Sequence, residues 1–284
     1  MYRILMCEPK FYGIQYEINP WMSRLRPADS ARAADQWADL YRVLTKEVGC
    51  EVVLLEPVEG LPDLVFTANA GLVHGDLFVR SNFRHLERAR EEPYFQAQFE
   101  AMGFRVATLP KRQRFEGEGD AFVCDGRLFA GYRFRSDYAS HKALGRLLNI
   151  PVISLELVDP WFYHLDTCFC PLRLGMLLYY PQAFSLETQR LIEMHFPRRL
   201  AVNEEEARRF VCNSVPISDR VVMNTGCPQA QQMLEEAGYQ VHEADTSEFI
   251  KAGGSIKCLI LFVEKDSEPD DQSKSTQPQM VTRD

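Results

Sequence analysis

The feature that most constrains the fold of this chain is a unit of about fifty residues that recurs along the sequence. Each copy contains a short apolar strand, a tight turn, a returning strand and a helix, and most copies end in a further strand. The turns lie at Gly75, Gly126, Gly175 and Asp219, which are roughly 51, 49 and 44 residues apart. One unit of this size is too small to bury its own apolar face, so we expect the copies to pack against one another.

One degenerate copy precedes four clearer ones. In the degenerate copy, residues 2–57, a strand at 4–6 is followed by a helix at 30–48 and a strand at 50–55. The predicted elements of the other copies, in the order strand, strand, helix, strand, are 64–73, 77–80, 93–102 and 104–109; 121–124, 128–130, 138–148 and 151–155; 167–170, 176–180 and 186–195 without a last strand; and 210–214, 220–223, 228–237 and 239–242. About five units predict one closed α/β domain over residues 1–265, in which radial closure protects the sheet edges.

The composition is that of a soluble globular protein and excludes several classes. Of the 284 residues, 25% are charged and 46% are apolar, and the formal net charge is −8. An acidic chain without a block of Lys or Arg is unsuited to nucleic acid or to an anionic membrane surface. No apolar run approaches the roughly 20 residues of a membrane-spanning helix. Because the first residues do not resemble a signal peptide, the eight cysteines indicate reduced thiols, and we expect a cytoplasmic protein.

The last stretch of the chain differs from the rest. Residues 266–284 are polar, poor in aromatic residues and interrupted by proline. Such a segment cannot bury enough apolar surface to offset the entropy of ordering it. We therefore expect a disordered tail after residue 265.

Polar side chains recur at the starts of otherwise apolar strands, about once per repeat. A ring of repeats would bring these positions together, and polar groups are unusual there unless they line a site. They are Asn69; Glu116, Glu118 and Asp120; His164 and Asp166; and Cys258 after the pair Gly253-Gly254.

Cys258 and His164 are the candidates for a nucleophile and its proton-transferring partner. The glycine pair allows a ligand to approach closely or the backbone to turn, although a buried apolar cysteine is the ordinary alternative. A thiol nucleophile needs a nearby base or cation. On a strand, His164 and Asp166 would point to the same side because they are two residues apart, but a lone histidine is also common in a structural role.

The acidic segment 116–120 has two interpretations. Its carboxylates could hold a cationic substrate, with the glycines permitting close approach, or the segment could be an acidic loop facing solvent. A metal site is disfavoured because no paired histidines are present and Cys168-x-Cys170 lacks a second pair at zinc-like spacing.

Four motifs in a fixed order carry a family resemblance: Phe66-Thr-Ala-Asn69, Glu118-Gly-Asp120, His164-Leu-Asp166, and Gly253-Gly254 with Cys258. Together they resemble the guanidino-group-modifying enzymes, which include arginine deiminase, dimethylargininase, the amidinotransferases and the arginine dihydrolases. The resemblance covers about residues 1–265. It implies an α/β-propeller, or pentein, of five ββαβ units around a pseudo-fivefold axis, with neither a metal nor an organic cofactor.

The resemblance also implies roles for individual residues. Cys258 matches the nucleophile that attacks the guanidinium carbon, His164 the residue that transfers protons, and Asp166 the carboxylate that binds guanidinium nitrogens. The family motif has one acid in this region, but an extra residue in this chain lets either Glu118 or Glu116 match it. We take Glu118 as catalytic and Glu116 as substrate-binding. Arginine side chains suit a substrate α-carboxylate, with surface arginines as the alternative. The other substrate-binding candidates are Phe66, Arg88, Asp120 and Arg135.

One position departs from the deiminases and dimethylargininases, which have Asp where this chain has Asn69. A carboxamide is neutral and offers both a donor and an acceptor. Asn69, together with Asn19 in the segment 18–22, is similar to the arginine dihydrolases, which convert arginine to ornithine, carbon dioxide and two ammonia molecules. The resemblance therefore implies a hydrolase of arginine that acts through a covalent thiouronium-type intermediate, with Asn69 and Asn19 binding substrate or intermediate.

Several alternatives remain open at this point. A deiminase or dimethylargininase would stop after one C–N cleavage and release citrulline, and an amidinotransferase would use an amine acceptor in place of water. A propeller that only binds a partner is a different class, but the retention of Cys258, His164 and Asp166 argues against it. The sequence leaves the oligomeric state open, a homo-oligomer included.

Overall fold

The computed structural model of the protein describes residues 2–264. Within this range fifteen short strands form five sheets of three strands each. The strands are β1 (Arg3–Cys7), β2 (Glu51–Leu55), β3 (Gly71–His74), β4 (Leu77–Arg80), β5 (Arg105–Thr108), β6 (Ala121–Cys124), β7 (Arg127–Tyr132), β8 (Val152–Glu156), β9 (Phe169–Leu172), β10 (Met176–Tyr179), β11 (Arg198–Ala201), β12 (Val215–Ile217), β13 (Arg220–Asn224), β14 (Gln240–Ala244) and β15 (Leu261–Glu264).

Helices connect the strands within each unit. No helix between residues 2 and 264 combines the length and the apolar composition needed to cross a bilayer. The helices are α1 (Ser30–Arg42), α2 (Leu86–Ala89), α3 (Glu92–Ala101), α4 (Tyr138–Leu148), α5 (Leu186–His195), α6 (Glu204–Arg208), α7 (Pro228–Glu236) and α8 (Ser247–Ile250).

Each sheet has the same internal order, in which the central strand pairs antiparallel with one neighbour and parallel with the other. Four sheets, β3-β4-β5, β6-β7-β8, β9-β10-β11 and β12-β13-β14, use three consecutive strands. In the sheet of β7, Phe129 lies opposite Phe122 of the antiparallel β6 and opposite Ile153 of the parallel β8. A parallel pair needs a crossover connection, and the helices supply it. The prediction of five ββαβ units in an α/β-propeller is confirmed.

The fifth sheet closes the ring with strands from the two ends of the described chain. β15 pairs antiparallel with β1, which pairs parallel with β2. The unit at residues 2–57 is degenerate in sequence because its missing strand comes from residues 261–264. β15 thereby gives the first sheet three strands, in the same arrangement as in the other four sheets.

Two predicted segments differ from the structure, and one of its strands was missed. The predicted strand at 64–73 is two 3₁₀ turns, Pro62–Val65 and Thr67–Ala70, followed by the four-residue β3. The segment predicted as a strand at 210–214 precedes β12 and contains Phe210 with a φ of 62°. β11 was not predicted. An apolar run that is buried on all sides has the same pattern whether it is a strand or a turn, so periodicity alone cannot separate them.

The apolar core lies between neighbouring sheets and beneath their helices. Phe95 and Phe99 of α3 are fully buried, and the Phe99 ring stacks on Phe78 of β4 with centroids 3.6 Å apart. The same cluster includes Leu5 of β1 and Leu261 of β15, so it joins the second sheet to the first. Packing of each small sheet against the next supplies the burial that a single unit lacks.

Four short 3₁₀ turns lie where the entering strands of four sheets begin: Thr67–Ala70, Gly117–Gly119, Leu165–Thr167 and Lys257–Leu259. Neighbouring turns contact one another. Gly117 has a φ of 62°, and a Cβ there would lie 2.7 Å from the main-chain oxygen of Ala68, so only glycine allows this approach. The turns carry most of the polar positions singled out in the sequence.

The domain boundary at residue 265 remains a prediction. The expected disordered tail, residues 266–284, lies outside the described residues.

Candidate active site

A small cavity lies beside the turns Thr67–Ala70 and Lys257–Leu259. Six of the residues predicted from sequence line it: Asn19, Phe66, Asn69, Arg88, Arg135 and Cys258. The other lining residues are Ile18, Met22, Asp63, Tyr163, Ala252 and Gly254.

The Cys258 thiol is buried at the cavity, with 3% of the residue exposed. Its Sγ donates a hydrogen bond to Oδ2 of Asp166 at 3.3 Å, and it accepts one from Nδ2 of Asn213 at 3.2 Å. Burial, together with the negative charge of Asp166, raises the pKa of the Cys258 thiol well above its ordinary value. The thiol is therefore protonated in the free protein at neutral pH.

Asp166 lies in the turn Leu165–Thr167 and is fully buried. Within residues 2–264 its Oδ1 has no hydrogen-bond partner, although the atom is shielded from solvent. Burial raises the pKa of Asp166 to about 7, and the nearby Lys257 and the bond from Cys258 oppose the rise. An unsatisfied buried carboxylate oxygen is costly, and a donor from a ligand would relieve that cost.

His164 is placed next to this turn and faces Glu116. Its Nε2 lies 2.7 Å from Oε2 of Glu116, which also accepts a hydrogen bond from Nη1 of Arg135 at 3.0 Å. The main-chain N–H of Arg84 donates to the other oxygen of Glu116. Burial opposes ionisation of Glu116, but the charge of Arg135 and the bond from His164 hold its pKa well below the usual range. Because an ionised carboxylate only accepts, Nε2 of His164 carries a proton.

Glu118 and Asp120 are held in contacts that do not face the cavity. Oε2 of Glu118 accepts from Nζ of the buried Lys257 at 2.9 Å. Oδ2 of Asp120 accepts from the main-chain N–H and the hydroxyl of Ser136, and its Oδ1 accepts from the main-chain N–H of Leu165. Neither side chain lines the cavity, and nor do Glu116, His164 and Asp166, but of the two glutamates only Glu116 contacts the histidine. The geometry thus favours Glu116 over Glu118 as the acid that acts with the histidine, and gives Asp120 a bracing role.

The two predicted arginines both line the cavity, but each is already paired. Arg88 forms a bidentate ion pair with Glu91 at 2.9 and 2.8 Å, and its Nη1 donates to Oδ1 of Asn69 at 2.6 Å. Arg135 bonds to Glu116 and to the main-chain oxygen of Ile18. These contacts use only part of the five N–H donors of each guanidinium, so donors remain for a substrate.

Asn19 and Phe66 form the covered side of the cavity. Nδ2 of Asn19 donates to the main-chain oxygen of Ala252, and its Oδ1 caps the main-chain N–H of Trp21. A Cβ at Gly254 would lie 2.5 Å from the Phe66 ring, so the glycine is required for this packing. The segment containing Asn19 is therefore joined by a hydrogen bond to Ala252, and both residues line the cavity.

Sequence reasoning missed three residues at the site: Asp63, Tyr163 and Asn213. Asp63 is 2% exposed, lines the cavity, and has an Oδ1 without a hydrogen-bond partner among the described residues. An acidic residue inside the apolar run 61–66 was the available signal. Tyr163 packs under the guanidinium of Arg135, 4.5 Å from its ring centroid, and donates its hydroxyl to the main-chain oxygen of Gly253. No comparable sequence signal marked Tyr163 or Asn213.

The structure links the predicted nucleophile to the segment that carries the imidazole. Asp166 contacts the sulfur of Cys258, and His164 directly precedes the turn Leu165–Thr167 that carries Asp166. Among residues 2–264, no three His, Cys, Asp or Glu side chains are arranged to hold a metal ion. The protein is a five-bladed α/β-propeller in which a buried thiol contacts Asp166, and His164, two residues earlier, contacts Glu116. These features place it in the guanidino-group-modifying superfamily.

Comparison with known proteins identifies the family within that class. A family model for N,N dimethylarginine dimethylhydrolase, eukaryotic, matches residues 22–264, and the chain belongs to this family. The chain is 48% identical over 274 residues to the bifunctional arginine dihydrolase/ornithine cyclodeaminase ArgZ of Synechocystis, covering 94% of this chain and 38% of that protein. It is 39% identical to an N(G),N(G)-dimethylarginine dimethylaminohydrolase of Mycobacterium tuberculosis, covering 92% and 85% of the two chains. The chain thus spans well under half the length of the bifunctional relative.

A solved structure has the same fold over nearly the whole chain. It is the N-terminal domain of ArgZ, a cyanobacterial arginine dihydrolase, in a form with one Cys→Ser substitution and bound to substrate. The two chains are 47% identical with a TM-score of 0.90, and the match covers 93% of this chain and 99% of that one.

Proposed function

We propose that the protein is a cysteine-dependent arginine dihydrolase, which converts arginine and two water molecules to ornithine, carbon dioxide and two ammonia molecules. The observation that carries the proposal is the contact between the Cys258 thiol and a buried Asp166 whose second oxygen has no partner among the described residues. The similarity to the N-terminal domain of ArgZ supports it, since the chain covers 99% of that domain.

The charges around the cavity suit a substrate with arginine's charge pattern. Asp63 and Asp166 each have a buried oxygen without a partner among residues 2–264, and these anionic groups would accept N–H donors from a cation. Arg88 and Arg135 line the same cavity and would bind the α-carboxylate. We therefore propose L-arginine as the small-molecule partner, and propose that neither nucleic acid nor membrane is one.

In the first cleavage, the guanidinium cation activates the sulfur. A positive charge beside Cys258 offsets the burial and the Asp166 charge that keep the thiol protonated. The thiol proton passes to Oδ2 of Asp166 at 3.3 Å, and the thiolate electron pair forms a bond to the guanidinium carbon. Protonated His164, stabilised by Glu116, gives a proton to the departing nitrogen, and ammonia leaves a thiouronium-type adduct.

Water then attacks the adduct. Neutral His164 accepts one proton from the water as the new C–O bond forms. The C–S bond then breaks with its electron pair on the sulfur, and the second proton of the water is lost to solvent, which leaves neutral citrulline and a thiolate. Citrulline remains in the cavity and undergoes a second attack by Cys258, which releases the second ammonia. Hydrolysis of this adduct gives a carbamate that breaks down to ornithine and carbon dioxide.

Asn69 is proposed to allow the second cleavage. Its Oδ1 is held by Arg88 at 2.6 Å and its Nδ2 points to the main-chain oxygen of Glu116 at 3.5 Å, so the carboxamide is fixed and neutral. A neutral group tolerates uncharged citrulline better than an aspartate would. Catalytic roles are proposed for Cys258, Asp166, His164 and Glu116. Glu118 is proposed to support its turn through the ion pair with Lys257.

A second candidate is hydrolysis of methylated arginine. The family model and the 39% identical relative from Mycobacterium tuberculosis favour it. In that reaction dimethylamine would leave instead of ammonia, and citrulline would be released after one cleavage.

The products separate these functions. The protein is incubated with L-arginine or with N(G),N(G)-dimethylarginine, and ornithine, citrulline, ammonia and dimethylamine are measured. The proposal requires two ammonia per ornithine from arginine and little free citrulline. One ammonia per citrulline would replace it with a deiminase, and turnover of dimethylarginine alone would replace it with the second candidate.

Two cysteine variants control for the nucleophile. Cys258→Ser is expected to abolish turnover while arginine still binds, because the cavity retains its charged groups. Cys124→Ser changes a half-buried cysteine of β6 outside the cavity and should leave the rate unchanged. Equal rates in the wild type and Cys258→Ser would remove Cys258 from the mechanism.

A further inference from the structure

Asn213 contacts the nucleophile more extensively than any residue predicted from sequence, yet it does not line the cavity. It is fully buried in the loop between α6 and β12. The loop turns sharply at Phe210, whose φ is 62°, and the main-chain N–H of Asn213 donates to the oxygen of Phe210. This backbone places the carboxamide against the turn Lys257–Leu259.

The carboxamide forms three hydrogen bonds that fix its orientation. Oδ1 accepts from the main-chain N–H of Cys258 at 3.2 Å, and Nδ2 donates to the main-chain oxygen of Asp166 at 3.0 Å and to Sγ of Cys258 at 3.2 Å. A main-chain N–H can only donate and a carbonyl can only accept. The amide therefore cannot be flipped, and an N–H must face the sulfur.

The main chain of Asn213 adds a fourth connection. Its carbonyl accepts from the main-chain N–H of Lys257 at 3.0 Å. Asn213 thus holds two consecutive main-chain N–H groups, those of Lys257 and Cys258, contacts the sulfur itself and binds the turn that carries Asp166. Asn213 therefore connects the segments that precede β9, β12 and β15, which belong to three different sheets.

We propose that Asn213 is a positioning residue for Cys258, which fixes the direction of the sulfur and donates a hydrogen bond that stabilises its negative charge. This inference rests on the proposed function for its place in the reaction, but its effect on the thiol exists without substrate. Asn213 and Asp166 act on the sulfur in opposite senses, because the amide donates to it and the carboxylate accepts from it. When the thiol proton moves to Asp166, the S–H electron pair stays on sulfur and the amide N–H is already aimed at it.

The test measures the thiol directly. Alkylation of Cys258 by iodoacetamide at pH 9, followed by mass spectrometry of its peptide, reports the thiolate in the absence of arginine. A hydrogen bond to a charged group contributes about 1.5–3 kcal/mol, so Asn213→Ala is expected to slow alkylation by about tenfold or more. Asn213→Asp has the same shape, loses the donor and adds negative charge, and should be slower still. Removing the Asn213 side chain gives the reagent more room at Cys258, which by itself would speed alkylation. A slower reaction in Asn213→Ala therefore reports a smaller thiolate fraction.

Asn224 provides the matched control. It is a buried asparagine of β13, the strand next to the β12 that follows Asn213, with bonds to the main-chain oxygen of Arg209 and to Thr246. Asn224→Ala should lower the melting temperature without changing the alkylation rate. With arginine, the Asn213 variants should lose kcat by about tenfold or more and keep KM within about threefold, since Asn213 does not line the cavity.

Alkylation of Asn213→Asp and Asn213→Ala at the wild-type rate or faster would overturn the proposal. So would a loss of rate that Asn224→Ala reproduces, because it would reflect general destabilisation. Failure of the wild type to hydrolyse arginine would refute the proposed function but leave the alkylation comparison intact.

Discussion

Asp166→Asn should make the nucleophile more reactive and the enzyme less active. In the resting protein, Oδ2 of Asp166 lies 3.3 Å from Sγ of Cys258, and both groups are buried. Two like charges at this distance repel by about 5 kcal/mol at an effective dielectric constant of about 20, which is an upper bound for this pair. Asparagine keeps the shape and removes that repulsion, and its N–H can turn toward the sulfur.

The assay compares alkylation and turnover in the same samples. At pH 9 iodoacetamide should label Cys258 at least about tenfold faster in Asp166→Asn. A tenfold change needs only about 1.4 kcal/mol of relieved repulsion, which is well under the upper bound of about 5 kcal/mol. Burial raises the pKa of Asp166 to about 7, so the wild-type carboxylate is neutral at pH 6 and the two proteins should react more nearly alike there. Turnover of arginine should fall by about 100-fold or more, because the proton acceptor and the anionic contact for the guanidinium are lost.

Equal or slower alkylation of Asp166→Asn at pH 9 would refute this reasoning. It would mean that burial alone keeps the thiol protonated. Full activity of the variant would remove Asp166 from the chemistry. The melting temperature of both proteins serves as the control for folding.

Three further predictions use other parts of the structure. Asn69→Asp should release citrulline by slowing the second cleavage more than the first, and an unchanged ratio of citrulline to ornithine would contradict this role. Glu116→Gln should lower kcat by about 100-fold or more. Glu118→Gln should mainly lower the melting temperature, because it breaks a buried ion pair. The reverse result in the activity and melting assays would make Glu118, not Glu116, the acid that acts with His164. Burial lowers the pKa of His141 to about 4, so the unfolded chain binds the extra proton and stability falls as the pH drops from about 6.5 toward 4, by about 3 kcal/mol. His141→Gln should remove that part of the pH dependence in urea unfolding, and parallel curves would contradict it.

The hairpins and two of the helices could be predicted from sequence because local signals mark their ends. The helix at 138–148 has the predicted bounds, and so does α5 at Leu186–His195, which follows the capping residue Ser185. β11 was missed because it contains Arg198 and Arg199, both exposed, and lacks an apolar face. The pairing of β15 with β1 joins residues about 260 positions apart, and no local pattern encodes such a contact.

The sequence predicted many of the residues that form the site but not the direction in which each side chain points. On a strand, a spacing of two would place Glu118 and Asp120 on one face, but Gly117–Gly119 forms a 3₁₀ turn with a φ of 62° at Gly117. The turn sends Glu116 toward His164 and Glu118 toward Lys257. Glycine adopts backbone conformations that other residues avoid. The alternation of side chains along a strand therefore cannot be assumed for a segment that contains glycine.

The resting thiol explains why arginine and citrulline should differ as substrates. Burial and Asp166 keep Cys258 protonated, and the proposed activator is the positive charge of the guanidinium. Citrulline is uncharged, so citrulline added from solution would meet a protonated thiol. Citrulline formed in the cavity meets the thiolate that the first hydrolysis has just released, and its second cleavage competes with reprotonation of the sulfur. Added citrulline should therefore be converted to ornithine at least about tenfold more slowly than arginine; an equal rate would show that the cation is not the activator.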